Sequence, residues 1–595
     1  MPIKQLLTRL FQINDLSKTT KRFVLPVLCS LFQTIILIGL IFNIFDKDLT
    51  SIITPIIITL LFSFYAAFCA FTSLKIFSES HGWKVKKYFS FSALFFIIIL
   101  LIEFYTKHYG KLLLGFGLFL SISVAPFLSK ESDNISYCNF SFALNNGIYF
   151  SLLASAILSL GSCAILGSID YLFDLTISYK VYPSLLVLYF FFFANLYFLS
   201  GIKQDWDNKT YLYPSGIKFI TNFILIPLIT TYSIILYAYI IKISIFRELP
   251  KGVLAIMISS FGIFGVLTHF SSYPLAKEGN KLVRVFSQYF YHSLLIPLGF
   301  LFFAILKRVK EYGVTEDRYL IILIGLWLLI SSIHTIYTKA KNLKFVTVCL
   351  SVMLIVASFG PWGIEGFSKF SQVKRLENLL KKEGILVDGK IVKTTNNVSD
   401  KSSQEISNIV DYISKTGNLE AIKEWFPKVS YVASLDDNTK SIDPQEVMKD
   451  IGLQHFTKWQ KTAQEIYFSI KDQQDFGKAV IDLKGFDYAV QFSLSSPGAG
   501  FSSKNFKNQS EDLVLRISLK ENNLIIIENE KIMGKIELTN FVNHLRTSKQ
   551  ESGDFILEIK SEVFKGRLYT TSISAELLDK PKITSIGALL LIKKL

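Results

Sequence analysis

Ionisable side chains within long apolar stretches are the residues of this sequence that could do chemistry. Glu103, Asp170, Asp174, His292 and His334 lie inside such stretches or at their ends. Burying an ionisable group at membrane depth is costly, so a residue of this kind often marks an ion or substrate pathway. Simpler explanations stay open. Glu103 can reach water from the end of its stretch, both aspartates can lie in an interfacial segment, and a lone histidine often joins two helices.

The motifs of common metal, nucleotide and hydrolase sites are absent from the sequence. Its seven histidines include no pair with His-x-His or His-x-x-x-His spacing, and its five cysteines include no Cys-x-x-Cys pair. Neither a Walker phosphate loop nor a Gly-x-Ser-x-Gly elbow is present. We therefore predict no catalytic residue, no cofactor and no metal ligand, and the balance is against an enzyme.

The composition indicates that lipid surrounds most of the chain. Of 595 residues, 51% are hydrophobic and 18% are charged, and the mean hydropathy is +0.40. Soluble domains carry about 25% charged residues, so a single soluble globular domain is excluded. Many of the basic residues behind the net charge of +16 flank apolar stretches, which is typical of membrane proteins. We predict contact with the lipid bilayer and no binding of nucleic acid.

About eleven apolar stretches are long enough to cross a membrane as helices. A crossing needs about 20 mostly apolar residues, because the hydrocarbon layer is about 30 Å thick and the backbone must satisfy its own hydrogen bonds. The sequence therefore predicts a polytopic α-helical membrane bundle. Its predicted spans are residues 23–45, 52–74, 88–105, 112–128, 147–168, 181–202, 218–241, 253–273, 285–306, 319–337 and 345–361.

Basic residues in the loops predict how the bundle is oriented. Lys and Arg are more frequent in the segments that share a side with the N-terminus, which favours a cytoplasmic N-terminus. The first stretch is too long for the apolar part of a signal peptide and no small-residue cleavage site follows it, so we predict a retained span. With an odd number of spans, the C-terminal domain is predicted to be extracytoplasmic.

The predicted domains are a transmembrane domain at residues 1–366, an amphipathic and helical connecting region at 367–462 and a β-rich soluble domain at 463–595. Phe370, Val373 and Leu376 recur at helical spacing among basic residues, which predicts an amphipathic helix. Alternating apolar residues near 513–519 and 555–559 indicate half-buried strands, and residues 524–538 indicate a hairpin. With one further helix near 540–548, we predict a soluble α+β domain with an antiparallel sheet.

Five short motifs follow one another over about 140 residues. They are LPKG at 249–252, NKLVR at 280–284, YGVTEDRY at 312–319, SFGPW at 358–362 and GILVDGK at 384–390. Through them the chain resembles the domain of unknown function 4153 family of bacterial multispanning membrane proteins, common in Bacteroidetes. The resemblance implies a multi-pass protein of the bacterial inner membrane and cell envelope, and it implies no established activity.

The third motif supplies three further candidate positions, Tyr312, Glu316 and Arg318. Thr315 is available to cap a helix whose first turn is acidic, which the helix dipole favours. A loop whose geometry alone requires these residues is the simpler explanation, and a binding site is the alternative.

Three functions remain open. A transport or translocation component for an envelope-related molecule predicts a solvated cavity lined by His292, His334 or the region of Asp170. A membrane enzyme acting on lipid-linked substrates predicts carboxylates such as Asp46 and Asp48 at an external opening. A non-catalytic scaffold or sensor predicts a groove or sheet edge that binds a protein partner through the C-terminal domain. The sequence favours transport slightly, with the scaffold close behind, and leaves the oligomeric state open.

Overall fold

The chain forms two compact units, one made of residues 1–397 with 409–452 and the other of residues 398–408 with 453–595. The predicted boundaries at 366 and 462 stay predictions. The computed structural model describes residues 16–43, 50–128, 134–173, 177–204, 206, 215–246, 253–277, 281–339, 342–392, 398–417, 421–426, 431–433, 440–442, 444–453, 465–469, 484–495, 501–507, 514–520, 522–528, 531–538, 556–560, 564–576 and 582–595.

Ten helices in the described part of the first unit are long and apolar enough to cross a membrane, which confirms the predicted helical bundle. A short helix, α1 (Leu16–Arg22), precedes them. The ten are α2 Val24–Ile41, α3 Thr50–Ser80, α4 Val85–Tyr105, α5 His108–Val124, α6 Asn134–Phe173, α7 Val181–Ser200, α8 Gly216–Phe246, α9 Val253–Lys277, α10 Lys281–Tyr312 and α11 Glu316–Thr338.

The eleventh predicted span corresponds to a shorter apolar helix, α12 (Lys344–Ala357). It runs antiparallel to α5, because Nζ of Lys344 donates a 2.8 Å hydrogen bond to the carbonyl of Phe127, just beyond one end of α5. Farther along, Oγ of Ser351 donates a 2.7 Å hydrogen bond to the carbonyl of Gly117. Helix α12 therefore packs alongside most of the length of α5, which is one of the ten long helices.

Glycines of α5 allow the backbones of α5 and α12 to touch. A Cβ atom added at Gly110 would overlap the carbonyl oxygen of Ser358, and one added at Gly117 would lie 2.8 Å from Cγ1 of Ile355. Association of helices in lipid depends on close packing, and small residues permit that approach. The α5–α12 contact is therefore sensitive to a single methyl group.

A glycine-rich turn ends the bundle, as the sequence predicts. Gly360 has φ +80°, a left-handed conformation that glycine adopts without strain. Helix α13 (Ile364–Lys382) follows where the sequence predicts an amphipathic helix. Leu376 and Leu380 of the predicted apolar stripe are fully buried, whereas Phe370 of the same stripe is 66% exposed.

Short elements complete the first unit. The strands β1 (Leu386–Val387) and β2 (Lys390–Ile391) pair as an antiparallel hairpin with positive φ angles at both turn residues. Helix α14 (Asp400–Lys415) belongs to the first unit only from Ile409 onward, and its stripe of Ile406, Val410 and Ile413 is buried, as helical spacing predicts. The remaining elements are β3 Tyr431–Ala433, β4 Lys440–Ile442 and α15 Pro444–Asp450.

The second unit contains antiparallel sheets, as predicted. One sheet has the order β10-β9-β8-β7, and the other has the order β11-β12-β13-β6, with β5 pairing beside β11 on the long strand β12. Buried side chains of both sheets form one apolar cluster that includes Ile517, Ile526 and Ile586. The predicted hairpin is confirmed by β9 and β10, whereas the predicted helix near 540–548 lies outside the described residues. The strands are β5 Glu465–Ser469, β6 Tyr488–Ser495, β7 Phe501–Lys507, β8 Val514–Lys520, β9 Asn523–Glu528, β10 Lys531–Glu537, β11 Ile556–Lys560, β12 Phe564–Glu576 and β13 Lys582–Lys594.

The close approach of α5 and α12 leads to a prediction about stability. We expect Gly110→Ala to destabilise the detergent-solubilised protein by about 1–3 kcal/mol, because the added methyl group forces the two backbones apart. Gly161→Ala in α6 is the matched control, since its Cβ atom would meet nothing within 4 Å and alanine favours helix. Thermal unfolding followed by thiol-reactive fluorescence measures both. Equal melting temperatures for the two variants would contradict the packing argument.

Candidate functional site

A pair of oppositely charged side chains is buried where α3, α4 and α5 meet. Glu103 of α4 is 0% exposed, and its Oε2 lies 3.9 Å from Nζ of Lys111 in α5. The same Nζ donates a 2.6 Å hydrogen bond to Oγ1 of Thr59 in α3. Neither carboxylate oxygen of Glu103 has a hydrogen-bond partner among the described residues. Both oxygens can therefore accept a proton or a ligand donor.

A second carboxylate binds the N-terminus of α5. Glu365, in the first turn of α13, accepts hydrogen bonds from the backbone N–H groups of Lys107, at 2.6 Å, and Gly110, at 3.1 Å. Such N–H groups have no partner within their helix, and the helix dipole favours a negative charge there. Burial raises the pKa of Glu365 above its usual value, although these two hydrogen bonds act in the opposite direction.

The side chain of Lys107 connects the same helix end to α14. Its Nζ donates hydrogen bonds to the carbonyl oxygens of Thr416, at 2.6 Å, and Gly417, at 2.9 Å, directly after α14. A cation is favourable at the C-terminal end of a helix, where carbonyl groups lack partners. The N-terminus of α5 is therefore joined to two elements that follow the bundle.

A third carboxylate, Glu316 at the start of α11, also binds α14. The hydroxyl of Tyr412 lies 2.7 Å from both carboxylate oxygens of Glu316, which is only 7% exposed. Burial, followed by this hydrogen bond, raises the pKa of Tyr412, so the hydroxyl stays protonated and remains a donor. Thr315 occupies the N-cap position as predicted, but its side chain makes no capping hydrogen bond.

We call Glu103, Lys107, Lys111, Glu316, Glu365 and Tyr412 the boundary cluster, because it lies at one end of the bundle. The charge of Glu316 acts on Glu365 and that of Glu365 acts on Glu103, so the three carboxylates form one electrostatic network. Carboxylates outnumber the ammonium groups of Lys107 and Lys111 in this cluster. Such an arrangement can exchange protons or bind a small cation between the helices.

The turn between α10 and α11 is held by cationic and amide side chains. Arg318 donates from one guanidinium nitrogen to the carbonyls of Tyr312, at 3.1 Å, and Gly313, at 2.7 Å. Arg375 of α13 donates to the same Tyr312 carbonyl at 3.3 Å, and Gln372 donates to it at 3.0 Å. Both guanidinium groups also lie within 6 Å of the Tyr312 ring. Arg375 and Gln372 therefore fasten the end of α10 to α13, and Arg318 of α11 closes the turn between α10 and α11.

The other sequence-derived candidates lie apart from this cluster. Asp170 accepts a 3.1 Å hydrogen bond from the backbone N–H of Ile177, and Asp174 lies outside the described residues. His292 is exposed on the outer face of α10, and its ring contacts the carbonyl of Gln288. His334 stacks on Phe345 with 3.7 Å between ring centroids. The structure thus brings together Glu103 and Glu316, but not the histidines.

Four residues of the boundary cluster were not singled out from the sequence. Lys111 could have been, because an acidic and a basic residue flank the short connection between α4 and α5. Lys107 and Glu365 are hydrogen-bonded to each other although more than 250 positions separate them, and no local spacing indicates this contact. In the part of the chain that the structure describes, no three His, Cys, Asp or Glu side chains converge as metal ligands, and the absence of a metal site stays a prediction.

Comparison with known proteins places these residues in context. The profile of a family described as "Domain of unknown function (DUF4153)" matches residues 32–389, which include every member of the boundary cluster except Tyr412. An uncharacterized protein of Pasteurella multocida (strain Pm70) is 25% identical over 369 residues, which are 58% of this chain. The alignment spans 60% of that relative's length. No solved structure matches the chain.

The buried hydrogen bond to Glu316 leads to a second prediction. Tyr412→Phe leaves a nearly buried carboxylate without its hydroxyl donor. We expect this loss to lower the free energy of unfolding by about 1–3 kcal/mol. Hydrogen–deuterium exchange of residues 400–415 should therefore become faster. Tyr105→Phe is the control, because Tyr105 is 84% exposed. If Glu316→Gln and Tyr412→Phe have strictly additive effects on the free energy of unfolding, the two side chains are not coupled and the prediction is wrong.

Proposed function

This chain belongs to the DUF4153 family, whose description assigns no activity, and we propose that it transports or translocates an envelope-related amphipathic molecule. Its long apolar helices make it an integral, multi-pass membrane protein. In this proposal the boundary cluster is the ion-coupled part of the transporter. The membrane concerned is the bacterial cytoplasmic membrane.

The buried pair of Glu103 and Lys111 is the observation that carries this proposal. Removing two charges from water costs several kcal/mol each, and well-packed apolar residues are often more stable at such positions. A charged pair inside an apolar bundle is therefore more easily explained by function than by stability. The acceptor oxygens of Glu103 stay available, since the described residues provide no hydrogen bond to them.

The cluster has a route by which one proton could change the helix contacts. Protonation of Glu103 removes the negative charge that faces Lys111 and also acts on Glu365. Glu365 binds the N-terminus of α5, and Lys107 at the same helix end binds α14. A change of charge at the buried pair is thus felt by the contacts that hold α13 and α14 to the bundle. Such coupling between protonation and helix packing is what an ion-driven transporter requires.

Helix order supports an orientation for the proposal. If α12 crosses the membrane beside α5, eleven crossings separate the start of α2 from α13. The basic residues of the loops favour a cytoplasmic start, so the boundary cluster and α13 would face the extracytoplasmic side. The histidines have no part in this proposal.

A non-catalytic scaffold or sensor is the second candidate. The hydrogen bonds of Lys107, Glu365 and Tyr412 favour it, because they would also transmit a signal between the bundle and the elements after it. The terminal strand β10 of the described four-stranded sheet carries Ile532, which is 68% exposed, and such an edge suits strand addition by a protein partner. The lipid-linked enzyme has no comparable support, since Asp46, Asp48 and Asp174 lie outside the described residues.

Translocation is testable with purified protein in proteoliposomes. The probe is fluorescent NBD-phosphatidylglycerol, whose movement between leaflets is followed by dithionite quenching under an imposed pH gradient. We expect gradient-dependent movement that Glu103→Gln lowers at least about tenfold, the effect of 1.4 kcal/mol on the barrier.

Two further variants separate transport from folding. The double variant Glu103→Gln/Lys111→Met leaves no unpaired charge, so it should fold normally and still fail to transport. Glu377→Gln is the control, because Glu377 pairs with Lys374 and Lys381 on the surface of α13. Full activity of the folded double variant would contradict the role of the buried pair.

The proposed orientation gives a separate prediction. The exposed residues Ser17, before the first span, and Lys390, after α13, should lie on opposite sides of the membrane. In spheroplasts a membrane-impermeant maleimide should label Lys390→Cys directly, but Ser17→Cys only after permeabilisation. Labelling of both, or of neither, before permeabilisation would mean an even number of crossings.

A further inference from the structure

A groove of about 810 Å³ lies along the first unit between α8 and α10. Residues 226–233 of α8 form one wall, residues 281–293 of α10 form the other, and Phe261 of α9 contributes to the floor. The volume falls within the range of about 300–1,000 Å³ that is usual for small-molecule sites. The groove is therefore large enough for a ligand.

Helix α8 is irregular next to this groove. Residues Thr221–Leu225 form a π-helical turn directly before the groove, and Pro227 follows it. Proline cannot donate a backbone hydrogen bond, and a helix often accommodates it by a local change of turn. Turns of this type are rare, and they are frequently found at functional sites.

The walls of the groove suit a hydrocarbon chain. Leu282, Val285 and Tyr289 of α10 are half exposed along it. The hydroxyls of Thr230 and Ser293 donate to carbonyls of their own helices, so they do not make the walls polar. At 1.5 Å per residue, the α10 wall is about 18 Å long, close to the roughly 15 Å of hydrocarbon in one leaflet.

Positive charge lies at one end of this apolar groove. Lys281, the first residue of α10, lines the groove, and Arg284 follows three residues later on the same side of the helix. Both side chains are exposed. A cation at the mouth of a leaflet-deep apolar groove matches the two parts of a phospholipid, a phosphate headgroup and an acyl chain.

We propose that this groove is a binding site for an anionic phospholipid, with one acyl chain between α8 and α10 and the phosphate at Lys281 and Arg284. The site does not depend on the proposed transport function, because binding is measured at equilibrium. Nor does it include any residue of the boundary cluster.

Native mass spectrometry of the full-length protein tests this site. The protein is delipidated in detergent and titrated separately with phosphatidylglycerol, phosphatidylethanolamine and glycerol 3-phosphate. We expect one phosphatidylglycerol to bind more tightly than phosphatidylethanolamine, and glycerol 3-phosphate alone not to bind. Lys281→Ala/Arg284→Ala should weaken phosphatidylglycerol binding about 30-fold, since each basic residue near a lipid surface contributes about a factor of five.

Matched variants test the two halves of the site. Lys84→Ala/Lys86→Ala removes two exposed basic residues at the start of α4, on the same membrane face by helix order, and should not change binding. Val285→Trp should fill the groove and prevent binding. Val352→Trp, at a residue of α12 with nearly the same exposure, should bind like the unaltered protein.

Three results would overturn the proposal. The first is equal affinity for the two phospholipids. The second is an equal loss of phosphatidylglycerol affinity when either pair of basic residues is replaced by alanine. The third is unchanged binding in Val285→Trp, which would place the lipid elsewhere on the bundle. Normal translocation by variants that have lost lipid binding would not contradict the lipid site. It would show that transport does not need this site.

Discussion

Hydrocarbon offers no water to solvate a charge, so each charged group at membrane depth needs a partner within the protein. Glu103 and Lys111 meet this constraint at one end of the bundle. At the other end Arg22 and Glu79 do so, with 2.7 Å between Nη2 and Oε2. The first of these pairs differs because its carboxylate oxygens receive no hydrogen bond from the described residues. In this pair each charge has its counter-charge, and the carboxylate oxygens of Glu103 can still accept a proton or a ligand donor.

Much of the architecture could be predicted because its causes are local. A run of apolar residues long enough to cross hydrocarbon predicts a helix whatever its neighbours are, and the periodic stripes of α13 and α14 predict their buried faces. The turn at Gly360 was recognisable because glycine and proline end helices for steric reasons. The β9–β10 hairpin likewise follows from alternation within a short segment.

The site was only partly predictable, because its contacts are not local. Glu103 attracted attention as an acidic residue at the end of an apolar stretch, and Glu316 as an acidic residue in the first turn of a helix that the third motif predicts. Glu365 and Tyr412 did not, since each looks like an ordinary polar residue of an amphipathic helix until its distant partner is known. His292 is a different case: a histidine at membrane depth suggested the lining of a cavity, and the side chain is exposed on the outer face of α10.

The π-helical turn of α8 has a consequence for how this helix could have arisen. A π turn holds one more residue than the α-helical turn it replaces, and one residue corresponds to about 100° of rotation. The residues before Thr221 are therefore displaced by that angle relative to a regular helix continued backwards from Ile226. The loss of a single codon between these positions would therefore convert the π turn into a regular α-helical turn, while the segments on both sides of it kept the faces that they present to their neighbours.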